Sequence, residues 1–401
     1  MEHFSIVIAG GGPVGLVTAV ALARHGIKVL VMEAAPDIPQ DLRAGTFHPP
    51  TVEMLDSIGL GDALLAKGVK IPKWQMRDRK KGLVAEFDLG MLADETRFPF
   101  RLHCEQHKLS HIAYQALLQL PSATIEFSTS CTGYEQNDDG VTVSFEGPKG
   151  AGTVRCDYLV GCDGIRSVVR KTMGTEFEGF TWPERFLVFA TPYDMREQGF
   201  TGNAYVADPI EWCGIFYQPH DGPPGIWRIA FPVGPELTDE QALADDYVQA
   251  RIKGFLSPDM DYEISYRSVY RVHQRVANEF RDRRVMIAGD AAHVNNPIGG
   301  MGLNSGIQDG ITLAEKLVEI LLHGTSDELL ARYARQRRTA NVEYVQAQSI
   351  RNKRLLEEKD PAVRQERLDE MRAIGKDPAR ARAHMLNTSM IASVRRAAEI
   401  A

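Results

Sequence analysis

The feature that most constrains this chain is a glycine cluster near its start, Gly10-Gly11-Gly12-Pro13-Val14-Gly15, set between two apolar runs. Residues 4–8 (FSIVI) are short, apolar and rich in β-branched side chains, which predicts a buried strand. Beyond the glycines, Val14, Val17, Val20, Ala21 and Leu22 supply an apolar helical face that ends near His25-Gly26. Lys28 to Met32 (KVLVM) predicts a second buried strand, closed by Glu33. Strand, turn, helix and strand within about thirty residues make the βαβ unit of a parallel sheet. The cluster also settles a rival reading. Phe4 to Ala23 carries no charge and is long enough to span a bilayer. It lacks a basic leader and a small-residue cleavage site, and Gly10 to Pro13 would break a spanning helix near its middle. A strand, a turn and a helix fit better.

Gly10-x-Gly12-x-x-Gly15 has the spacing of a dinucleotide fingerprint. The first glycine makes the turn, the second lets backbone approach a pyrophosphate, and the third lets helix and strand pack closely. The helix start offers free N–H groups and a partial positive charge to phosphate, and Glu33 can accept hydrogen bonds from a ribose. With 35 glycines in 401 residues the pattern alone is weak. Its place in a βαβ unit ending in an acid carries the weight.

Two later runs resemble the first strand. Tyr158-Leu159-Val160 ends in Gly161-Cys162-Asp163-Gly164, and Val285-Met286-Ile287-Ala288 ends in Gly289-Asp290. Ligands of open α/β sheets lie beyond the carboxyl ends of strands, so Asp163 and Asp290 are placed to hold a sugar or ribityl hydroxyl. Each dipeptide is also an ordinary turn and cap. After Asp290 come Ala291-Ala292-His293 and then Asn296-Pro297-Ile298-Gly299-Gly300-Met301-Gly302-Leu303-Asn304, opening a long helix. Such a glycine-rich entry suits an electron-rich ring edge such as that of a flavin. The alternative is a flexible cap loop.

Between these segments the pattern changes. Residues 185–233 alternate apolar and polar with many aromatics, which predicts antiparallel strands with one face covered and one lining something. Asp239 to Leu256 reads as helical, Glu263 to Val272 as a returning strand, and the chain after Gly302 as mainly helical. The charged stretch after Arg351 reads as a solvated helix face. The expected fold is α/β, with a Rossmann-like dinucleotide-binding sheet interrupted by a mainly antiparallel β substrate domain and followed by C-terminal helices. Its expected parts are a discontinuous cofactor domain (1–70, 105–173, 275–330), a substrate domain (71–104, 174–274) and a helical region (331–401).

Composition narrows the function classes. The chain is 44% hydrophobic and 25% charged, as in ordinary globular proteins, with a formal net charge of −7. That balance argues against nucleic acid or an anionic membrane as the main partner. Five cysteines without a C-x-x-C pair give neither a disulfide framework nor a zinc signature, so a reducing cytoplasm and no metal are expected.

Taken together, GGGPVG with Glu33, CDGIRSVVR at 162–170 and GDAAHVNNPIGGMGLN at 289–304 resemble the single-component FAD aromatic hydroxylases of the para-hydroxybenzoate hydroxylase type. The resemblance covers roughly residues 1–330. It is closest to phenol-type members, including para-nitrophenol monooxygenases, through Tyr270-Arg271-Val272-His273-Gln274-Arg275. It implies that Gly10, Gly12 and Gly15, with Pro13 and Val14, meet the FAD pyrophosphate, Glu33 the ribose and Asp290 the ribityl chain. Gly300, Met301, Gly302, Leu303 and Asn304 would meet the isoalloxazine, and Arg43 and Gln106 sit where the family places flavin contacts. Asp163 and Arg170 would support FAD and the nicotinamide reaction.

The implied reaction is NAD(P)H- and O2-dependent hydroxylation of a phenolic or other electron-rich ring through a flavin C4a-hydroperoxide. NADH or NADPH would be a transient co-substrate, since no second fingerprint is present. The pocket must exclude water and favour the phenolate. His273 is the first candidate proton acceptor, with His48 and Pro297 also near the chemistry and His293 supporting the loop. Tyr193, Tyr217, Gln218, Trp227, Arg228 and Tyr270 are candidates for the substrate wall, although aromatics in strands are commonly plain core. A monomer or homodimer is expected. The rivals are a halogenase, whose W-x-W-x-I-P pattern is absent, a tailoring oxidase performing epoxidation or Baeyer–Villiger insertion on a polycyclic substrate, and a non-catalytic binder on the same fold.

Overall fold

The computed structural model describes residues 3–40 and 44–401. Strand His3–Ala9 lies at the centre of the first sheet, with Ile6, Val7 and Ile8 wholly buried. It pairs in parallel with Val29–Met32 on one side and Gly150–Gly161 on the other. Ala123–Glu126 and Val285–Ile287 extend the parallel sheet outward. The predicted strand at 158–160 is only the end of the twelve-residue Gly150–Gly161, whose first half forms a hairpin ladder with Gly140–Gly147 and Ser130–Asn137. Helix Pro13–Ala23 covers one face and packs against helices Gly302–His323 and Gln106–Leu117.

The second sheet has eight strands and is antiparallel apart from the pairing of Asn203–Ala207 with Lys73–Asp78. Its long strand Phe177–Thr191 shows why polarity alone could not orient it. Leu187 and Phe189 pack with Trp227, Ile229 and Val248 in one apolar layer, while Phe186 and Val188 face another with Trp74, Tyr205 and Ile298. Both faces are covered. A small sheet of Thr46–Phe47, Arg101–His103 and Val69–Ile71 joins the two large ones.

Three expectations need adjusting. The helical stretch at 239–256 is two helices, Asp239–Leu243 and Asp245–Lys253, separated by an extended Ala244. The returning strand runs Tyr266–Ala277, several residues later than read. The charged C-terminal stretch is solvated on one side only. Leu356, Leu368, Met371 and Met385 turn inward onto the second sheet. Helices Pro361–Lys376 and Pro378–Thr388 each begin at an Asp-Pro pair, where Asp360 and Asp377 accept N–H groups of the first turn. Arg364 also bonds Asp78, at 2.5 Å, which ties this roof to the sheet.

Candidate active site

Three strand ends meet along the carboxyl edge of the parallel sheet. Cys162 N donates to Ala9 O at 2.7 Å, and Ala288 N donates to Gly161 O at 3.0 Å. Gly10 has φ +105°, and a Cβ there would lie 2.3 Å from Cys162 O, so only glycine fits. A Cβ on Gly15 would lie 1.9 Å from Gly10 O. At Gly12 an added Cβ meets nothing within 4 Å. Space is therefore open above the start of helix Pro13–Ala23, where no side chain caps the first turn. The Glu33 carboxylate is fixed by N–H groups of Gly11 (2.6 Å) and Ala35 (2.8 Å), with lone pairs to spare.

Asp163 accepts N–H groups of Val168 (2.7 Å) and Val169 (3.1 Å), so it caps helix Val168–Met173, while its Oδ1 is buried without a partner. Arg170 reaches back to Ala291 O and Ile165 O, both at 2.7 Å, and braces the turn Gly289–Ala291, on which Asp290 is exposed. Beneath that turn lies a fully buried ionic chain. His293 Nε2 meets Asp309 Oδ2 at 2.7 Å, Asp309 Oδ1 accepts from Arg337 Nε at 2.6 Å, and Gly289 N donates to Asp309 at 3.1 Å. Burial pushes the Asp309 carboxyl up, but His293 and Arg337 outweigh it and hold it below the usual range.

The glycine-rich entry to helix Gly302–His323 is pinned by Asn304. Its Oδ1 accepts from His48 N (2.8 Å), and its Nδ2 donates to Thr46 O (2.7 Å) and Gly300 O (2.6 Å). Gly299 and Gly300 are left-handed, and Gly300 N donates to Pro297 O at 3.0 Å. No side chain caps this helix either. His48 bonds Gly299 O through Nε2 at 2.9 Å, and burial, with Arg101 nearby, pushes its pKa down to about 3. A ring so reluctant to protonate is a poor proton acceptor near neutral pH. Gln106 N donates to Ala44 O at 3.0 Å, beside Arg43, which lies outside the described residues.

Against this loop opens a pocket. Trp74, Met76, Arg101 and Tyr205 form one side, Ile298 to Met301 another, and Leu355, Leu356, Met371 and His384 of the C-terminal helices the third. The expected substrate wall lies elsewhere. Trp227 and Tyr193 belong to the layer on the far side of the second sheet, and Tyr217 donates to Pro224 O at 2.8 Å. Gln218 packs against Gly45, and Tyr270 joins the near-side layer without lining the pocket. His273 also points away. Strand alternation gives the near side to Val272 and Gln274, and leaves His273 on Thr181 Oγ1 at 2.8 Å. The sequence reading missed Arg101 and His384. The only available signal for the first was the triplet Arg101-Leu102-His103, whose alternation puts two basic side chains on one face beside apolar neighbours.

The donor set fits FAD. The open cradle at Gly12 suits a pyrophosphate, Glu33 and Asp290 stand at strand ends where hydroxyls would lie, and an uncapped helix start faces the pocket loop. Fold and site together define a dinucleotide-binding flavoprotein with an aromatic-walled cavity. The family model described as FAD binding domain matches residues 3–348. The chain is 35% identical over 361 residues to the para-nitrophenol 4-monooxygenase of Pseudomonas sp. (strain WBC-3), covering 90% of this chain and 89% of that one. It is 32% identical over 379 residues to 6-hydroxy-3-succinoylpyridine 3-monooxygenase of Pseudomonas putida, covering 94% and 95%. The crystal structure of p-nitrophenol 4-monooxygenase from Pseudomonas putida DLL-E4 superposes with a TM-score of 0.92 at 32% identity, over 99% of both chains. The chain belongs to this FAD-binding family. It is an FAD-dependent monooxygenase of aromatic substrates.

No helix among the described residues is long and apolar enough to cross a membrane.

Proposed function

We propose that the protein hydroxylates a small phenolic ring, with NADH or NADPH as a transient electron donor. The observation that carries this reading is the aromatic-walled pocket closed on one side by the Ile298–Met301 loop. The activities of the two monooxygenases to which the chain is similar over nearly its whole length support it. Bound FAD would supply the activation of O2 and the transfer of one oxygen atom to the ring.

The chain's own residues do the rest. Gly10, Gly12 and Gly15 hold the pyrophosphate, with Pro13 and Val14 at the helix start and Asp163 and Gln106 at the margins. Glu33 takes the ribose, Asp290 the ribityl hydroxyls, and Gly300 to Asn304 the ring edge. Leu355, Leu356 and Met371 keep water from the reacting centre. The catalytic assignment shifts from His273 and His48 to groups lining the pocket, with Pro297 shaping the loop. A cytoplasmic location fits five cysteines that are all free.

A second reading has one observation in its favour. The anhydrotetracycline hydroxylase of Streptomyces rimosus matches at TM-score 0.78 and 30% identity. This chain covers 76% of that longer protein, against 99% of the p-nitrophenol 4-monooxygenase at the higher TM-score of 0.92, and that fuller likeness favours the phenol reading. The deciding experiment is a panel of mono-phenols and polycyclic ketones, scored by stimulated NAD(P)H oxidation together with detection of oxygenated product. Product from the polycyclic set alone would overturn the proposal.

A further inference from the structure

Arg101 is 2% exposed and lines the pocket, yet among the described residues it has no carboxylate partner. Its Nη1 donates to Asn203 Oδ1 and its Nη2 reaches Thr388 O at 3.5 Å, while Nε has no partner at all. The Tyr205 hydroxyl lies beside it, and its guanidinium sits 5.2 Å from the Trp74 ring. Of the other buried cations, Arg337 has Asp309 and Lys353 has Glu184 and Glu357, while Arg170 has two carbonyls, of Ala291 and Ile165, at 2.7 Å each.

Unused polar atoms collect around the same guanidinium. His48 Nδ1, His103 Nε2, His384 Nε2 and Asn203 Nδ2 are all buried without a hydrogen-bond partner. His48, His103 and His384 each feel the Arg101 charge. They come from the start of helix Pro49–Ser57, the Arg101–His103 strand and helix Pro378–Thr388, so three separate elements bring buried polar groups within range of the Arg101 charge, and His384 lines the pocket with it. A buried charge left unpaired is costly, and unsatisfied polar atoms add to the cost. A site that keeps both is built for a ligand that brings the missing negative charge.

We propose that Arg101 anchors the substrate as its phenolate anion, so that the protein selects the ionised form of an acidic phenol. The inference rests on the phenol-hydroxylase reading above and sharpens it. On binding, the phenol O–H bond breaks, its proton passes to solvent, and the oxyanion takes the open side of the guanidinium. No strong base in the pocket is then needed. The groups facing Arg101 do not blur the pH signature. Burial first, and Arg101 second or third, push His48 and His103 down to about 3 and His384 to about 4, while burial pushes the Tyr205 hydroxyl up. Arg351 is the other cation felt by His384.

The test is equilibrium binding to the FAD holoenzyme, read from the perturbed flavin absorption spectrum between pH 5.5 and 9. The probes are 4-nitrophenol, the weaker acid 4-methylphenol and the non-ionising 4-nitroanisole. Expected for 4-nitrophenol is a Kd that falls about tenfold per pH unit up to the phenol's own pKa and then levels. For 4-nitroanisole the Kd should be flat, and weaker on the order of 100-fold. Arg101→Gln should remove the preference for the anion, and Arg101→Lys should restore the slope with weaker binding. A pH-independent Kd for 4-nitrophenol below its pKa, or an unchanged profile in Arg101→Gln, overturns the proposal. So does an Arg101→Gln protein whose FAD affinity falls in apoprotein titrations while its phenol profile, read at saturating FAD, is kept, because the cation would then serve the flavin. Failure of every phenol to give product would sink the hydroxylase reading while leaving these binding profiles intact.

Discussion

Gly12→Val separates cofactor binding from folding more cleanly than any other change at the site. Gly12 has φ −72° and ψ −179°, an extended conformation open to every residue, and an added Cβ there meets nothing within 4 Å. The folded apoprotein therefore loses only the modest N-cap advantage of glycine over valine, about 1 kcal/mol or less. The cost falls on the ligand. A valine side chain would stand in the open space above the helix start and keep a pyrophosphate from its N–H groups. Hydrogen bonds to charged groups contribute about 1.5–3 kcal/mol each, so losing two weakens FAD by roughly 10²- to 10⁴-fold. Titrating apoprotein with FAD and following flavin fluorescence reads the affinity, and thermal unfolding of the same samples reads the fold. Gly10→Val is the contrast, since its Cβ would strike Cys162 O at a left-handed position, and it should lose the fold as well. A Gly12→Val protein that stays yellow through dialysis, or whose apo form unfolds many degrees early, would refute the reasoning.

The remaining predictions concern the network, the histidines and the roof. Asp309→Asn leaves Arg337 buried without its carboxylate and should cost about 3–5 kcal/mol in denaturant unfolding. Because the folded-state pKa of Asp309 is depressed, the wild-type advantage is present above the unfolded value near 4 and shrinks as pH falls through the folded one. His48, His103 and His384 titrate in the fold at about 3, 3 and 4, so the unfolded chain binds more protons below about pH 6.5. Stability should fall with acidification from there, by up to about 1.4 kcal/mol per pH unit for each ring, and His384→Gln should reduce that slope. Met371→Ala opens the pocket roof, so it should raise KM and the share of H2O2 among products while FAD affinity stays within about twofold. Unchanged coupling would remove the roof from water exclusion.

The parts of the molecule that were legible from sequence are those where backbone geometry dictates the residue. Gly10 is left-handed against Cys162 and Gly15 lies against Gly10 O, so the turn had to be written in glycine and could be read from glycine. The pocket was not legible for the opposite reason. Arg101, Tyr205, Ile298, Leu356 and His384 come from five distant segments, and none is required by its own local backbone. His273 shows how polarity misled. On its strand Gln274 is the buried residue, held by Asn296, Trp182 and Ser349, so a polar side chain occupies the inner face and the histidine is left outside. The aromatics of the second sheet failed as markers because both faces of that sheet are covered, which erases the contrast that alternation needs. The C-terminal helices hid their role behind charge. Leu368 and Met371, like Ala381 and Met385, keep the three- and four-residue spacing of an inward stripe among many arginines and acids. With that stripe packed on the second sheet, the segment from Gln348 to Thr388, beyond the cofactor motifs, supplies one side of the pocket. On the proposed reading, FAD is held by turns in which Gly10 and Gly15 are required by their backbone, and the aromatic ring mainly by side chains whose local backbones would accept many others.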